Sequence, residues 1–137
     1  WVAAIDKFQH WIYTNNHTAK ERKEKWLEID REFGNQIIDW KGNESSRAIM
    51  WQKQLHLYEV PFYYIEYGMA QLGAIAMWRS YKKLGENALD NYMNALKLGY
   101  TKSINEIYKT AGIKFDFSSR YVKELSEFIK IELTKLK

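Results

Sequence analysis

The sequence predicts an all-α chain, a multi-helix array of about seven helices joined by short connections. Three observations carry that prediction. Apolar residues recur at helical spacing along most of the chain. Two Thr/Ser-x-x-Glu capping boxes, Thr18 with Glu21 and Ser103 with Glu106, mark helix starts. Glycines stand where helices should stop, at Gly34, Gly85, Gly99 and Gly112.

Trp1 to about Asn15 reads as the first helix, with Val2, Ile5, Phe8 and Ile12 as its apolar stripe. Asn15-Asn16-His17 is a turn. The Thr18 box opens a second helix to about Phe33, with Trp26, Ile29 and Phe33 on one side and a mixed-charge, solvated face on the other. Residues 35–43 are less regular, and Gly42-Asn43 is a turn. A third helix is expected from about Glu44 to Glu59, with Ile49, Gln52, Leu55, His56 and Glu59 along one side. Pro61 suits the first turn of a helix, because its φ is preset and its missing N–H needs no partner there. A helix from about Pro61 to Leu84 follows, with Met69, Leu72, Ile75 and Ala76 as core. Glu86 to Leu98 is the next, with Leu89, Tyr92 and Leu96 inward. The Ser103 box opens a short helix ending at Gly112. Ile113 to Phe117 is a brief extended link. Ser118 or Ser119 caps a last helix carrying Val122, Leu125, Ile129, Leu133 and Leu136.

A chain of 137 residues with 46% hydrophobic and 16% aromatic content can bury a real core and is not a disordered tail. The net charge of +4 is mild, and the basic residues are interspersed with acids. Nucleic-acid binding therefore has little support. With no cysteine there are no disulfides and no thiolate chemistry, in agreement with a cytoplasmic setting. No apolar run reaches the roughly 18–20 residues that span a bilayer. The opening Trp1-Val2-Ala3 reads as the inside of a helix, which suggests a fragment of a longer polypeptide.

The stretch Leu55 to Trp78, LHLYEVPFYYIEYGMAQLGAIAMW, is the chemically unusual part. It holds Pro61, His56 and four tyrosines, Tyr58, Tyr63, Tyr64 and Tyr67. Tyr67 lies four residues after Tyr63 and three after Tyr64, so both pairs can share a helix face. A neutral phenol donates a hydrogen bond at neutral pH and can stabilise a developing oxyanion; a nearby histidine can do the same. Tyrosines at helical spacing are also common core or interface residues. Gly68 and Gly73, each costing about 1 kcal/mol mid-helix, imply a close approach of another helix or a ligand.

Motifs for other chemistries are missing. There is no His-Glu-x-x-His; His56 and Glu59 form a His-x-x-Glu pair, but Val60 stands where the inverted zinc motif needs histidine. Three scattered histidines without cysteine make a complete metal site within this chain unexpected. Neither a Gly-rich phosphate loop nor a Gly-x-Ser-x-Gly elbow occurs.

Leu55 to Trp78 closely resembles the C-terminal part of oligoendopeptidase F, a zinc oligopeptidase related to the thimet-oligopeptidase family. The resemblance extends to Ile5 through Tyr13 with Asn15 to Thr18, to Trp51 through His56, and to Ala111 through Phe117. It implies a mostly helical peptidase with a channel for short peptides, whose zinc is held by a His-Glu-x-x-His motif and a later glutamate. None of those residues is in this chain, so 1–137 would be the C-terminal part of the catalytic domain, inactive alone, with the upstream part of the same polypeptide as partner. The resemblance places His56, Tyr64 and Tyr67 at the catalytic site, with Tyr67 favoured as the oxyanion donor. Tyr63, Tyr58 and Glu59 would be substrate-binding. A competing reading is a non-catalytic helical module binding a peptide or protein. Residues from Trp78 to Tyr92 faintly resemble a tetratricopeptide array, but the self-similarity at about 34 residues that such arrays need is absent.

Overall fold

A computed structural model describes residues 1–136. It contains eight α-helices and one 3₁₀ turn, with no strand among the described residues, so the all-α prediction holds. The chain divides into two compact units, Trp1–Gly68 and Met69 onward.

The first unit holds α1 (Val2–Thr14), α2 (Ala19–Phe33), α3 (Glu44–Arg47), the 3₁₀ turn Met50–Lys53 and α4 (His56–Glu59). The Thr18 box forms as the sequence requires. The Thr18 hydroxyl accepts from the Glu21 N–H and the Glu21 carboxylate accepts from the Thr18 N–H. Such a cap stabilises a helix by about 1 kcal/mol. The core joins Ile5, Phe8, Trp26, Ile29, Trp51 and Leu57, with Tyr64 packed at its edge. Phe8 sits against Trp26 and Trp51, ring centroids 5.4 and 5.0 Å away. Aromatic pairs of this kind contribute about 0.5–1.5 kcal/mol beyond area burial. Beside the core, Arg47 Nε donates to Asp30 Oδ2 at 2.6 Å.

The helix expected over Glu44–Glu59 is broken into three short pieces, and the structure gives the reason. In a continuous helix the Arg47 carbonyl would accept from the N–H four residues on. Here it accepts from the Trp26 indole at 2.9 Å. The chain then tightens into the 3₁₀ turn that buries Trp51.

The expected start at Pro61 also fails. Val60, Pro61, Phe62 and Tyr63 form a turn closed by Tyr63 N–H to the Val60 carbonyl at 3.2 Å, and Phe62 has φ 62°. Proline second and a positive φ third is the type II pattern. Proline also disfavours the helical region for Val60 before it, whose φ and ψ are −136° and 70°. Helix α5 therefore begins at Ile65 and runs to Leu84.

The second unit contains most of α5 together with α6 (Glu86–Leu98), α7 (Ile104–Thr110) and α8 (Ser119–Thr134). Ser103 and Glu106 complete the second capping box, and Ser118 caps α8. Ala76, Tyr121 and Leu125 form the core here, flanked by Leu72, Ile75 and Ile113. Two expected inward stripes are turned. On α6 the buried residues are Ala88 and Ala95, and Leu89, Tyr92 and Leu96 are exposed. Alanines let the helix seat closely, which moves the longer side chains to the rim. On α8 the inward face runs Tyr121, Leu125 and Glu132, whereas Val122 and Leu133 are exposed, as is Leu136 beyond the helix end. Glu132 can lie inward because the amines of Lys82 and Lys135 meet its carboxylate.

Candidate functional site

The turn at Pro61 brings the end of α4 and the start of α5 together. His56 opens α4, Tyr63 and Tyr64 precede α5, and Tyr67 lies in its first turn. The three phenol rings surround the imidazole. Ring centroids of Tyr63, Tyr64 and Tyr67 lie 6.2, 4.9 and 5.6 Å from that of His56. Tyr67 is also edge-on to Tyr63 at 5.7 Å and tilted against Tyr64 at 5.2 Å. The sequence spacing thus gave the right neighbours, although Tyr63 and Tyr64 sit before the helix rather than on it.

His56 Nε2 lies 3.2 Å from the Tyr67 hydroxyl, and His56 Nδ1 lies 2.7 Å from Gln54 Nε2. Tyr63 and Tyr67 are exposed, 44% and 46% of their surface, while Tyr64 is half-buried against the aromatic core. Two hydroxyl-bearing rings therefore face solvent beside the imidazole, and the third anchors the group to the fold.

Tyr58 and Glu59 are not brought into this cluster. Tyr58 stacks on Trp51, centroids 6.4 Å apart, and burial pushes its phenol up from the ordinary value, with Tyr13 adding to the rise. Glu59 is exposed at the end of α4. The turn is held from the side by Phe62, whose ring meets His10 at 4.9 Å and Tyr13 at 5.7 Å.

Gln54 carried no sequence signal as a member of the site. Its carbonyl oxygen accepts from the Trp1 indole at 2.9 Å, a partner 53 residues away, and no local spacing could have revealed it.

Among the described residues no three histidine, aspartate or glutamate side chains come together in a way that could hold a metal ion. His10 pairs with Asp6, His17 contacts Arg22 and the Ile12 carbonyl, and His56 belongs to the tyrosine cluster. No helix is long and apolar enough to cross a membrane, among the described residues.

The candidate site is thus an imidazole among three phenol rings in an all-α chain, with Tyr63 and Tyr67 exposed. The chain belongs to peptidase family M3, whose family model matches residues 1–127. Comparison with curated proteins and with solved structures found no match.

Proposed function

We propose that this chain is part of a zinc-dependent peptidase of the oligoendopeptidase F type, acting on short peptides in the cytoplasm, and that it supplies the substrate-facing side of the cleavage site. The observation that carries the reading is the His56–Tyr67 contact, 3.2 Å between Nε2 and the hydroxyl, inside a ring of phenols on a chain of the M3 family. In this reading Tyr67 donates to the oxyanion that develops on the scissile carbonyl and His56 supports it. Tyr64, half-buried, holds the ring of Tyr67 in place. Tyr63 binds the peptide backbone, and Tyr58 and Glu59 border the substrate path.

Preorganised donors of this kind act strongly because they need no reorganisation as charge develops. Zinc and the general base would come from residues outside this chain.

The test is hydrolysis of a quenched fluorogenic peptide with added zinc. The chain is assayed alone, then with the polypeptide segment carrying the His-Glu-x-x-His motif. Activity in the mixture and none with either part alone is the expected result. A confirmed complex without hydrolysis would overturn the reading and favour a peptide-binding module. Hydrolysis by this chain alone would overturn the division of labour.

A further inference from the structure

Four residues of the first unit form a chain of polar contacts with one direction. Trp1 Nε1 lies 2.9 Å from Gln54 Oε1, Gln54 Nε2 lies 2.7 Å from His56 Nδ1, and His56 Nε2 lies 3.2 Å from the Tyr67 hydroxyl. An indole N–H can only donate. The Gln54 atom that faces it is therefore the carbonyl oxygen, and the amide nitrogen is left facing His56. An amide NH₂ has no lone pair to offer, so Nδ1 must be the accepting nitrogen. The single proton of the neutral imidazole then sits on Nε2 and points at the Tyr67 oxygen.

We propose that Gln54 is a positioning residue that fixes the His56 tautomer, with Trp1 locking the orientation of the Gln54 amide. The consequence for Tyr67 rests on the reading of that residue as the oxyanion donor. With its oxygen already accepting from His56, Tyr67 directs its own proton outward to substrate. Hydrogen bonds aligned in this way polarise one another, which strengthens the terminal donor.

The surroundings hold the relay in place. The Trp1 ring lies edge-on to the fully buried Trp26, centroids 5.4 Å apart, and Lys53 Nζ sits 4.7 Å over its face. Gln54 is fixed through its backbone, its N–H donating to Trp51 and its carbonyl accepting from Leu57 N–H, at 3.0 and 3.1 Å. Locked supporting groups are what a site needs in order to keep its geometry.

The experiment is ¹H–¹⁵N long-range correlation NMR on the whole chain labelled at histidine nitrogen, in mildly alkaline solution. His56 is assigned by its loss in His56→Gln. Wild type is expected to carry the proton on Nε2 with about tenfold preference, the effect of one ordinary hydrogen bond. Gln54→Glu, which can only accept, is expected to move the proton to Nδ1. Trp1→Phe frees the amide to turn and should give a mixture of tautomers. The His10 and His17 signals report whether each variant keeps the fold. A wild-type proton on Nδ1 overturns the proposal, as does an Nε2 proton that stays put in a folded Gln54→Glu. If that variant does not fold, Trp1→Phe decides: a mixture supports the relay and an unchanged tautomer overturns it.

The readout needs neither metal nor substrate, so it is separable from the catalytic reading. A fixed Nε2 tautomer together with normal turnover in Tyr67→Phe would overturn the oxyanion role alone. Impaired turnover in Tyr67→Phe with the proton on Nδ1 would overturn the relay alone.

Discussion

The hydroxyl of Tyr108 packs directly on Gly73, 2.6 Å from where a β-carbon would stand, with the next ring carbon at 3.1 Å. A mid-helix glycine costs about 1 kcal/mol in propensity, and here the missing side chain is what lets α7 deliver a phenol against α5. Burial pushes that phenol up from its ordinary value. Gly73→Ala should therefore destabilise the protein by about 1–2 kcal/mol, because overpacking of about 1–3 kcal/mol outweighs the gain in helix propensity. Tyr108→Phe removes the atom that clashes most and should recover part of that loss in the double variant. Urea denaturation of the four proteins measures it; a stabilised Gly73→Ala would show that Tyr108 moves aside without cost.

Asp30 and Arg47 form the least exposed ion pair of the first unit, with side chains 11% and 19% exposed. Arg47 also lies over the Trp40 ring, 5.6 Å from its centroid. Removing one member of a buried pair leaves the other uncompensated, at a cost of about 3–5 kcal/mol. Residual exposure places Arg47→Met near the lower end, at about 3 kcal/mol. Replacing both, in Asp30→Leu with Arg47→Met, should cost less than Arg47→Met alone. A larger loss in the double variant would mean that the pair supplies net stability beyond its own desolvation.

The two capping boxes give the acid response a defined sign. Hydrogen bonds from Thr18, first through its backbone N–H and then through its hydroxyl, hold the Glu21 carboxyl below its ordinary value of 4.5. The Ser103 hydroxyl, then its N–H, does the same for Glu106. A depressed pKa in the folded state means that the unfolded chain binds more protons in acid. The stabilisation is present above the ordinary carboxylate value and is lost as pH falls through the depressed one. Glutamine keeps the box geometry but does not titrate. Glu21→Gln with Glu106→Gln should therefore flatten the fall in Tm between about pH 5 and pH 3. An unchanged acid limb would assign that fall to the other carboxylates.

Those boxes were also the most legible part of the sequence, because a cap is a local bargain between residues three apart. Helices α1, α2, α6 and α8 follow their predicted spans closely. What the sequence hid was decided by long-range partners. The break after Arg47 depends on the indole of Trp26, 21 residues away. The helix start at Ile65 depends on a turn in which Phe62, rather than glycine, takes the positive φ, with its ring packed against His10 and Tyr13. Periodicity alone set the apolar stripes of α6 and α8 about one residue out of register, since it does not say which of two adjacent apolar faces finds a neighbour. At the candidate site, spacing grouped phenols and an imidazole that the fold does bring together, whereas the contact of Gln54 with His56 had no local signal.

Among those phenols, Tyr67 and Tyr64 differ in what they touch. Tyr67 brings its hydroxyl to 3.2 Å from His56 Nε2, and Tyr64 packs its ring on the edge of the core. In the complete zinc peptidase proposed above, Tyr67→Phe should lower kcat by ~10²–10³, the usual loss on deleting one oxyanion donor, with little change in KM or metal content. Tyr64→Phe keeps the packing ring and should lower kcat far less, while Tyr64→Ala should cost stability by opening the edge of the core. Steady-state kinetics on the three variants, with metal content measured for each, makes the comparison. Near-normal kcat in Tyr67→Phe would remove that hydroxyl from the mechanism, and a larger loss in Tyr64→Phe would transfer the role to Tyr64.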